Sequence, residues 1–286
     1  HHATYLKHWS IATRDTGRLF LFAGDQKIEH LNVDFHGENI PAECNAPTHL
    51  FEIAKAGHVG CFATHLGLMS RYAEQYHAVP YLVKLNGKTN LYAGEAYSST
   101  LHTVEQVIAF AHATKTTVVG IGYTVYLGSK HEAKMLAEAA QHIYHAQRHG
   151  LLTVLWMYVR AAATDINPRN ADIIAGAAGV GHALGADFVK IVTPEGKSPA
   201  DCAYKLKQAV GAAGSTGVLC AGGQTIEPAE YLTHIQAYLS IARTRGVAVG
   251  RNLHQRPLAQ AIELSAAISE LVYGKEPLAQ YHKTAD

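Results

Sequence analysis

Lys190 stands in ADFVKIVTP, a charged amine inside an apolar run. Burying such a group charged is costly, and desolvation or a neighbouring cation lowers its pKa. A neutral amine can add to a carbonyl and hold it as a Schiff base. The protonated iminium then draws electrons from the adjacent carbon–carbon bond. A structural lysine, paired with a carboxylate or turned outward between helices, fits the same position, so the neighbours decide. Tyr158, in LLTVLWMYVR, is a candidate proton carrier, or else a core tyrosine with a satisfied hydroxyl. Asp25, closing LFLFAGD, could hold a substrate hydroxyl or modulate the lysines, or simply cap a loop. Lys84, in PYLVKLNG, offers a like charge beside Lys190, an anion contact, or a second place for the Schiff base. Arg160 ends the same run as Tyr158. Gly222 and Gly223 in CAGGQT, with Gly250 and Arg251 in VGRNLHQ, place backbone N–H groups and a guanidinium where an anion could be cradled.

Positioning these groups requires a repeated unit, and the chain supplies one. Short apolar runs at 19–25, 58–64, 80–87, 116–123, 151–160, 186–191, 216–223 and 246–250 read as strands. Helical stretches separate them: near 47–57, on to about His77, 103–113, from Ser129 to Gly150, 167–185, 200–213, from Ile226 to Gly246, and about 257–271. Asn167 and Pro168 stand where an N-cap and first turn are expected. Nearly continuous apolar strands imply a sheet covered by helices. Eight units without a long linker favour a single (β/α)8 TIM barrel over an open doubly wound sheet, and no Gly-x-Gly-x-x-Gly follows the first strand. The expected layout is an N-terminal extension at 1–18, a barrel over about 19–274 and a tail at 275–286. In such a barrel the active site lies at the C-terminal strand ends, where every residue named above falls.

Composition narrows the function classes. Hydrophobic residues make up 48% and charged residues 16% of the 286, with a formal net charge of +1, which gives no support for nucleic-acid or acidic-membrane binding. The low charged fraction suits a homo-oligomer. Cys44, Cys61, Cys202 and Cys220 form no CxxC and no disulfide framework, as for reduced thiols in the cytoplasm. No apolar run is long enough to cross a membrane, and the first residues lack a secretory core. His142, His145 and His149 share one helix, but it should lie outside the barrel; HExxH, zinc spacings and G-x-S-x-G are absent, so neither metal nor cofactor is expected.

AGDQKIEH (23–30), YLVKLNG (81–87), VYLGS (125–129), TVLWMYVR (153–160), GADFVKI (185–191), AGG (221–223) and GRNLHQR (250–256) together are distinctive. Over most of the chain they resemble the archaeal-type class I fructose-bisphosphate aldolases, the DhnA/FbaB-like branch within the broader DeoC/LacD-like grouping. The resemblance implies Lys190 as Schiff-base lysine, Tyr158 as acid/base, Asp25 as a catalytic-site residue, and Gly222, Gly223, Gly250 and Arg251 around a phosphate. It also implies metal-free chemistry and a large homo-oligomer. Many members carry Asp-His-Gly after the first strand, where this chain has Asp25-Gln26-Lys27, and YPRG where it has YVRA, so Lys27 is a further candidate near the substrate.

The implied reaction is reversible cleavage of fructose 1,6-bisphosphate. Lys190 attacks C2, Tyr158 takes the C4 hydroxyl proton as C3–C4 breaks, and glyceraldehyde 3-phosphate leaves before dihydroxyacetone phosphate. A Schiff-base aldolase for another phosphorylated sugar or keto compound, including deoxyribose-phosphate or transaldolase-like activity, remains open. So does a non-catalytic phosphosugar-binding barrel.

Overall fold

The apolar runs form eight parallel strands: β1 (Leu19–Ala23), β2 (Cys61–His65), β3 (Tyr81–Lys84), β4 (Val118–Leu127), β5 (Leu152–Val159), β6 (Phe188–Ile191), β7 (Gly217–Ala221) and β8 (Gly246–Val249). In this computed structural model, which describes residues 1–91, 94, 96–160 and 166–274, they close in the order β1-β8-β7-β6-β5-β4-β3-β2. The expected single (β/α)8 barrel is the observed fold. The expected tail at 275–286 lies outside the described residues.

A strand's period of two divides the core into two layers. Leu19, Leu21 and Ala23 of β1, Leu82 of β3, Val154 and Trp156 of β5, and Phe188 of β6 share the lumen cluster. Phe20, Phe22, Val83, Leu155 and Val189 alternate outward into the layer beneath the helices. The same alternation carries Lys84 two residues above Leu82 and Lys190 two above Phe188. One close approach needs a glycine. A Cβ on Gly122 would lie 2.5 Å from the Trp156 ring, so its absence lets the indole lie across the lumen.

The N-terminal segment is part of the barrel's architecture. Its helix, His2–Thr13, packs against the N-terminal mouth: Trp9 stacks on Phe188 at 5.4 Å and the Tyr5 hydroxyl donates to Asp187 at 2.6 Å. The Tyr273 hydroxyl ties this helix to the barrel's last helix, Leu258–Tyr273, by donating to the Ala12 carbonyl.

Several boundaries differ from the sequence expectation, each for a local reason. β4 continues to Leu127 because its partner β5 pairs with it along the whole length, to Leu127↔Val159. Asn86–Gly87 leaves the barrel to pair with Ser99–Thr100. Asn86 locks that exit by donating to the Ser98 and Thr124 carbonyls and accepting from the Thr124 N–H. The helix expected from Asn167 begins at Ala171, with Asn170 as cap accepting from the Asp172 and Ile173 N–H groups. Asn167 instead accepts from the Arg169 N–H in a preceding turn. The helix after β4 starts at Glu132 rather than Ser129, and the one after β2 stops at Tyr72. The helix expected over Ile226–Gly246 runs Pro228–Ala237 and then widens into a π turn, Tyr238–Ala242.

The stacking of Trp9 under the lumen has a measurable consequence. Trp9→Ala is expected to lower unfolding free energy by about 3 kcal/mol in chemical denaturation, in line with other large aromatic truncations. The KM of the folded protein should stay within about twofold, since Trp9 lies at the mouth remote from the charged strand ends.

Candidate active site

The C-terminal mouth gathers the candidates from separate strands. Lys84 ends β3, Lys190 lies late in β6, Trp156 and Tyr158 face inward from β5, and Asp25 follows β1. Trp156 is in register with Lys190 across the β5–β6 ladder. Its ring lies 4.9 Å from the Lys84 ammonium and 5.2 Å from that of Lys190. Both lysines are almost wholly buried, at 3% and 6% exposure, so neither can rely on water to hold its charge. Asp25, also buried, pairs with Lys84 at 3.5 Å.

Electrostatics follow from that enclosure. Burial pushes both lysines below the usual ammonium range, and the carboxylates of Asp25 and Glu29 only partly oppose it. Lys190 further depresses Lys84, and Arg251 further depresses Lys190. For Asp25 burial alone would raise the carboxyl. The charges of Lys84, Lys190 and His65 outweigh it and hold Asp25 below its ordinary value. Burial raises the Tyr158 phenol well above the usual range, Glu29 and Asp25 add to this, and Arg160 and Arg251 offset part of it.

Four residues at this mouth had not been singled out in the sequence. Trp156 was findable, since it precedes Tyr158 by two in the same strand and must share its face. His65 ends β2 in register with Lys84, one residue past the expected strand. Its imidazole is held down to about 4 by burial and by Lys84. Glu29 closes a single helical turn, Gln26–Glu29, and accepts from the Tyr126 hydroxyl at 2.7 Å. Tyr126 lies beside Tyr158 in the β4–β5 register. Neither the extended β4 nor the short turn had a clear periodic signal.

At the neighbouring mouth, Gly222 and Gly223 follow β7, while Gly250 precedes the short helix Arg251–His254 after β8. The Gly222 N–H already donates to Ala248, whereas Gly223 has φ +68° and open space where a side chain would stand. Arg251 Nε donates to the Gly223 carbonyl at 3.1 Å and its Nη1 lies 3.9 Å from Asp34. Asn252 laces the β7 loop to this helix by donating to the Gly222 and Gln224 carbonyls and accepting from the Ile226 N–H. Arg160 is exposed, its guanidinium 5.8 and 5.6 Å from the Tyr126 and Tyr158 rings. Lys27 is committed elsewhere: its ammonium lies 4.0 Å over Phe35 and donates to Asn32 Oδ1 and the Asn45 carbonyl.

Among the described residues no group of three His, Cys, Asp or Glu side chains is placed to hold a metal ion. His142 packs against Tyr123 and Thr100, and His145 pairs with Glu105, so that helix uses its histidines in packing contacts.

The arrangement supplies an amine with a weakened hold on its proton, an enclosed phenol beside the Tyr126 ring, and a glycine-and-arginine rim. Removing the carboxylate tests the balance. Asp25→Asn deletes a charge that raises Lys190, so the free amine should appear at lower pH. The midpoint for borohydride trapping of a carbonyl compound, followed against pH, should move acidward. An alkaline move would contradict the assigned electrostatics.

Comparison with known proteins agrees with this chemistry. Residues 19–256 match the model of the DeoC/LacD family aldolases. The chain is 45% identical over 265 residues to a fructose-bisphosphate aldolase/6-deoxy-5-ketofructose 1-phosphate synthase of Methanocaldococcus jannaschii, covering 92% of this chain and 84% of that protein. The structure of a fructose-bisphosphate aldolase from Slackia heliotrinireducens superposes with a TM-score of 0.91 at 46% identity, covering 95% of this chain and 86% of that one. An archaeal fructose-1,6-bisphosphate aldolase, solved with its catalytic lysine bound to the carbinolamine intermediate, matches with a TM-score of 0.80 at 29% identity, covering 94% and 100%.

Proposed function

The chain belongs to the DeoC/LacD family of aldolases, in its class I fructose-bisphosphate branch, and from that we propose that it cleaves fructose 1,6-bisphosphate reversibly through a Schiff base on Lys190. The observation that carries this reading is the pair of buried lysines flanking one indole, with a single carboxylate ion-paired to one of them. Lys84 has Asp25 at 3.5 Å to hold its proton. Lys190 has no such ion pair among the described residues and is the amine left to become nucleophilic.

Neutral Lys190 adds to the C2 carbonyl, and loss of water gives the iminium. Tyr158, inside the same mouth, takes the C4 hydroxyl proton as the C3–C4 bond opens and glyceraldehyde 3-phosphate departs. Return of a proton to the enamine and hydrolysis then release dihydroxyacetone phosphate. Asp25 holds Lys84 charged, and Lys84 in turn faces the substrate as a fixed cation. Gly223, Gly250 and Arg251, with Gly222 framing the loop, take one phosphate, and Arg160 at the exposed rim is placed for an anionic end of the substrate. No metal takes part in these steps.

The Methanocaldococcus relative is also a 6-deoxy-5-ketofructose 1-phosphate synthase, and at 45% identity that favours a second reading. The same enamine would add to an aldehyde other than glyceraldehyde 3-phosphate. We place the protein in the cytoplasm as a homo-oligomer of barrels. Supporting this, its cysteines are free, no helix among the described residues is long and apolar enough to cross a membrane, and large side chains such as Tyr144 and Tyr204 stand exposed.

Borohydride reduction with fructose 1,6-bisphosphate or dihydroxyacetone phosphate, read by intact mass and peptide mapping, should leave the adduct on Lys190. An adduct on Lys84 would move the nucleophile, and no adduct on folded, substrate-binding protein would favour the non-catalytic barrel. Lys190→Met should lose about 10³-fold or more in kcat, and chelator should leave the wild-type rate unchanged. Arg251→Ala should raise KM for the bisphosphate about 30-fold, the loss expected for one charged hydrogen bond to phosphate. Product analysis with alternative aldehydes separates the two aldolase readings.

A further inference from the structure

Tyr158 poses a problem for the chemistry assigned to it. A phenol enclosed at the mouth and facing carboxylates keeps its own proton, yet cleavage requires it to accept another from the C4 hydroxyl. It can do so only by handing its own proton onward in the same step. The structure offers one route. Tyr126 is paired with Tyr158 across the β4–β5 ladder, and their rings lie 6.4 Å apart at an interplanar angle of 23°. The Tyr126 hydroxyl is buried and donates to Glu29 Oε1 at 2.7 Å. Arg160 lies within 6 Å of both rings, 5.8 Å from Tyr126 and 5.6 Å from Tyr158. Asp25, whose charge also reaches Tyr158, is taken up by its ion pair with Lys84.

We propose that Glu29, acting through the Tyr126 hydroxyl, is the residue that exchanges protons with Tyr158 during carbon–carbon cleavage. The proposal rests on the Schiff-base reading and assigns the far end of its proton path. In cleavage the C4 hydroxyl proton passes to the Tyr158 oxygen. The Tyr158 proton moves to the Tyr126 oxygen, directly or across one water, and the Tyr126 proton moves to Glu29. The C3–C4 electron pair flows into the iminium to give the enamine, and the C4 oxygen becomes the aldehyde carbonyl. When the enamine is protonated at C3, the same path runs backwards and Glu29 is again a carboxylate. Every proton taken from the substrate is thus returned to it. Glu29 faces the same space as Lys84 and Lys190, since its charge is felt at both lysines. Glu29 is a positioning residue in this scheme, because it touches substrate only through the two phenols.

The test separates this role from a structural one. Glu29→Gln keeps an acceptor for Tyr126 but cannot take up a proton. It should lower kcat for cleavage about 10²-fold with KM within about threefold. Borohydride capture of dihydroxyacetone phosphate on Lys190 should still go to completion, its pH midpoint moved only acidward by loss of the Glu29 charge, because iminium formation does not use this path. Tyr126→Phe should fall by a similar factor, and the double variant should be no slower than either single one. Glu29→Asp should recover part of the rate. An unchanged kcat in Glu29→Gln, additive losses in the double variant, or loss of capture together with raised KM would each overturn the proposal. Failure of capture in the wild type would instead sink the Schiff-base reading beneath it.

Discussion

Two ammonium groups enclosed against one indole, with a carboxylate beside only one of them, is the constraint on which the active end of this barrel depends. Charging both lysines in a lumen that excludes water would set like charges against each other with little screening. Asp25 settles the competition by standing 3.5 Å from Lys84. That pair favours the proton on Lys84, while burial lowers both amines and the charge of Asp25 reaches Lys190 as well.

The barrel makes this arrangement affordable to the fold by separating stability from chemistry along one axis. Below the lysines the lumen is filled with apolar side chains, and the N-terminal helix closes it from beneath by stacking Trp9 on Phe188. Two residues further along the same strand, Lys190 emerges above that plug. Gly122 gives up its side chain so that Trp156 can lie beside both amines. The charged groups are therefore supported from one side by close packing and open only toward the loops that would carry substrate.

The mouth itself divides into two regions. Around β1, β3 and β6 the groups are buried and their proton affinities are displaced, which suits covalent and proton-transfer steps. Around β7 and β8 the chain is knitted by Asn252 and Arg251 to loop carbonyls, and Gly223 leaves open space. In the proposed reaction this rim would hold a phosphate and so aim the carbonyl carbon at the amine. The Tyr126–Tyr158 pair, with Glu29 held by the Tyr126 hydroxyl, lies at the border of this buried region beside the exposed Arg160.

Much of this was legible in the residue order. Apolar runs of the right length recur eight times, and a polar or charged residue follows or ends most of them. That pattern alone placed Lys190, Lys84, Asp25, Tyr158 and the β7–β8 glycines at one end of a barrel, because strand direction and the period of two are local properties. Trp156 was implied by the same period. What sequence order leaves open is which groups meet. The Asp25–Lys84 pair, the neighbourhood of Glu29 and Tyr126, and the turning of Lys27 toward Phe35 join residues from different strand ends, so they depend on closure of the sheet. The same holds for the N-terminal helix, which carries few cues of its own and acquires its place from the ring of Phe188. Local propensity and alternation specify the elements and their faces; ion pairing, stacking and proton affinity are set by distances across the lumen, which exist only once the barrel is closed.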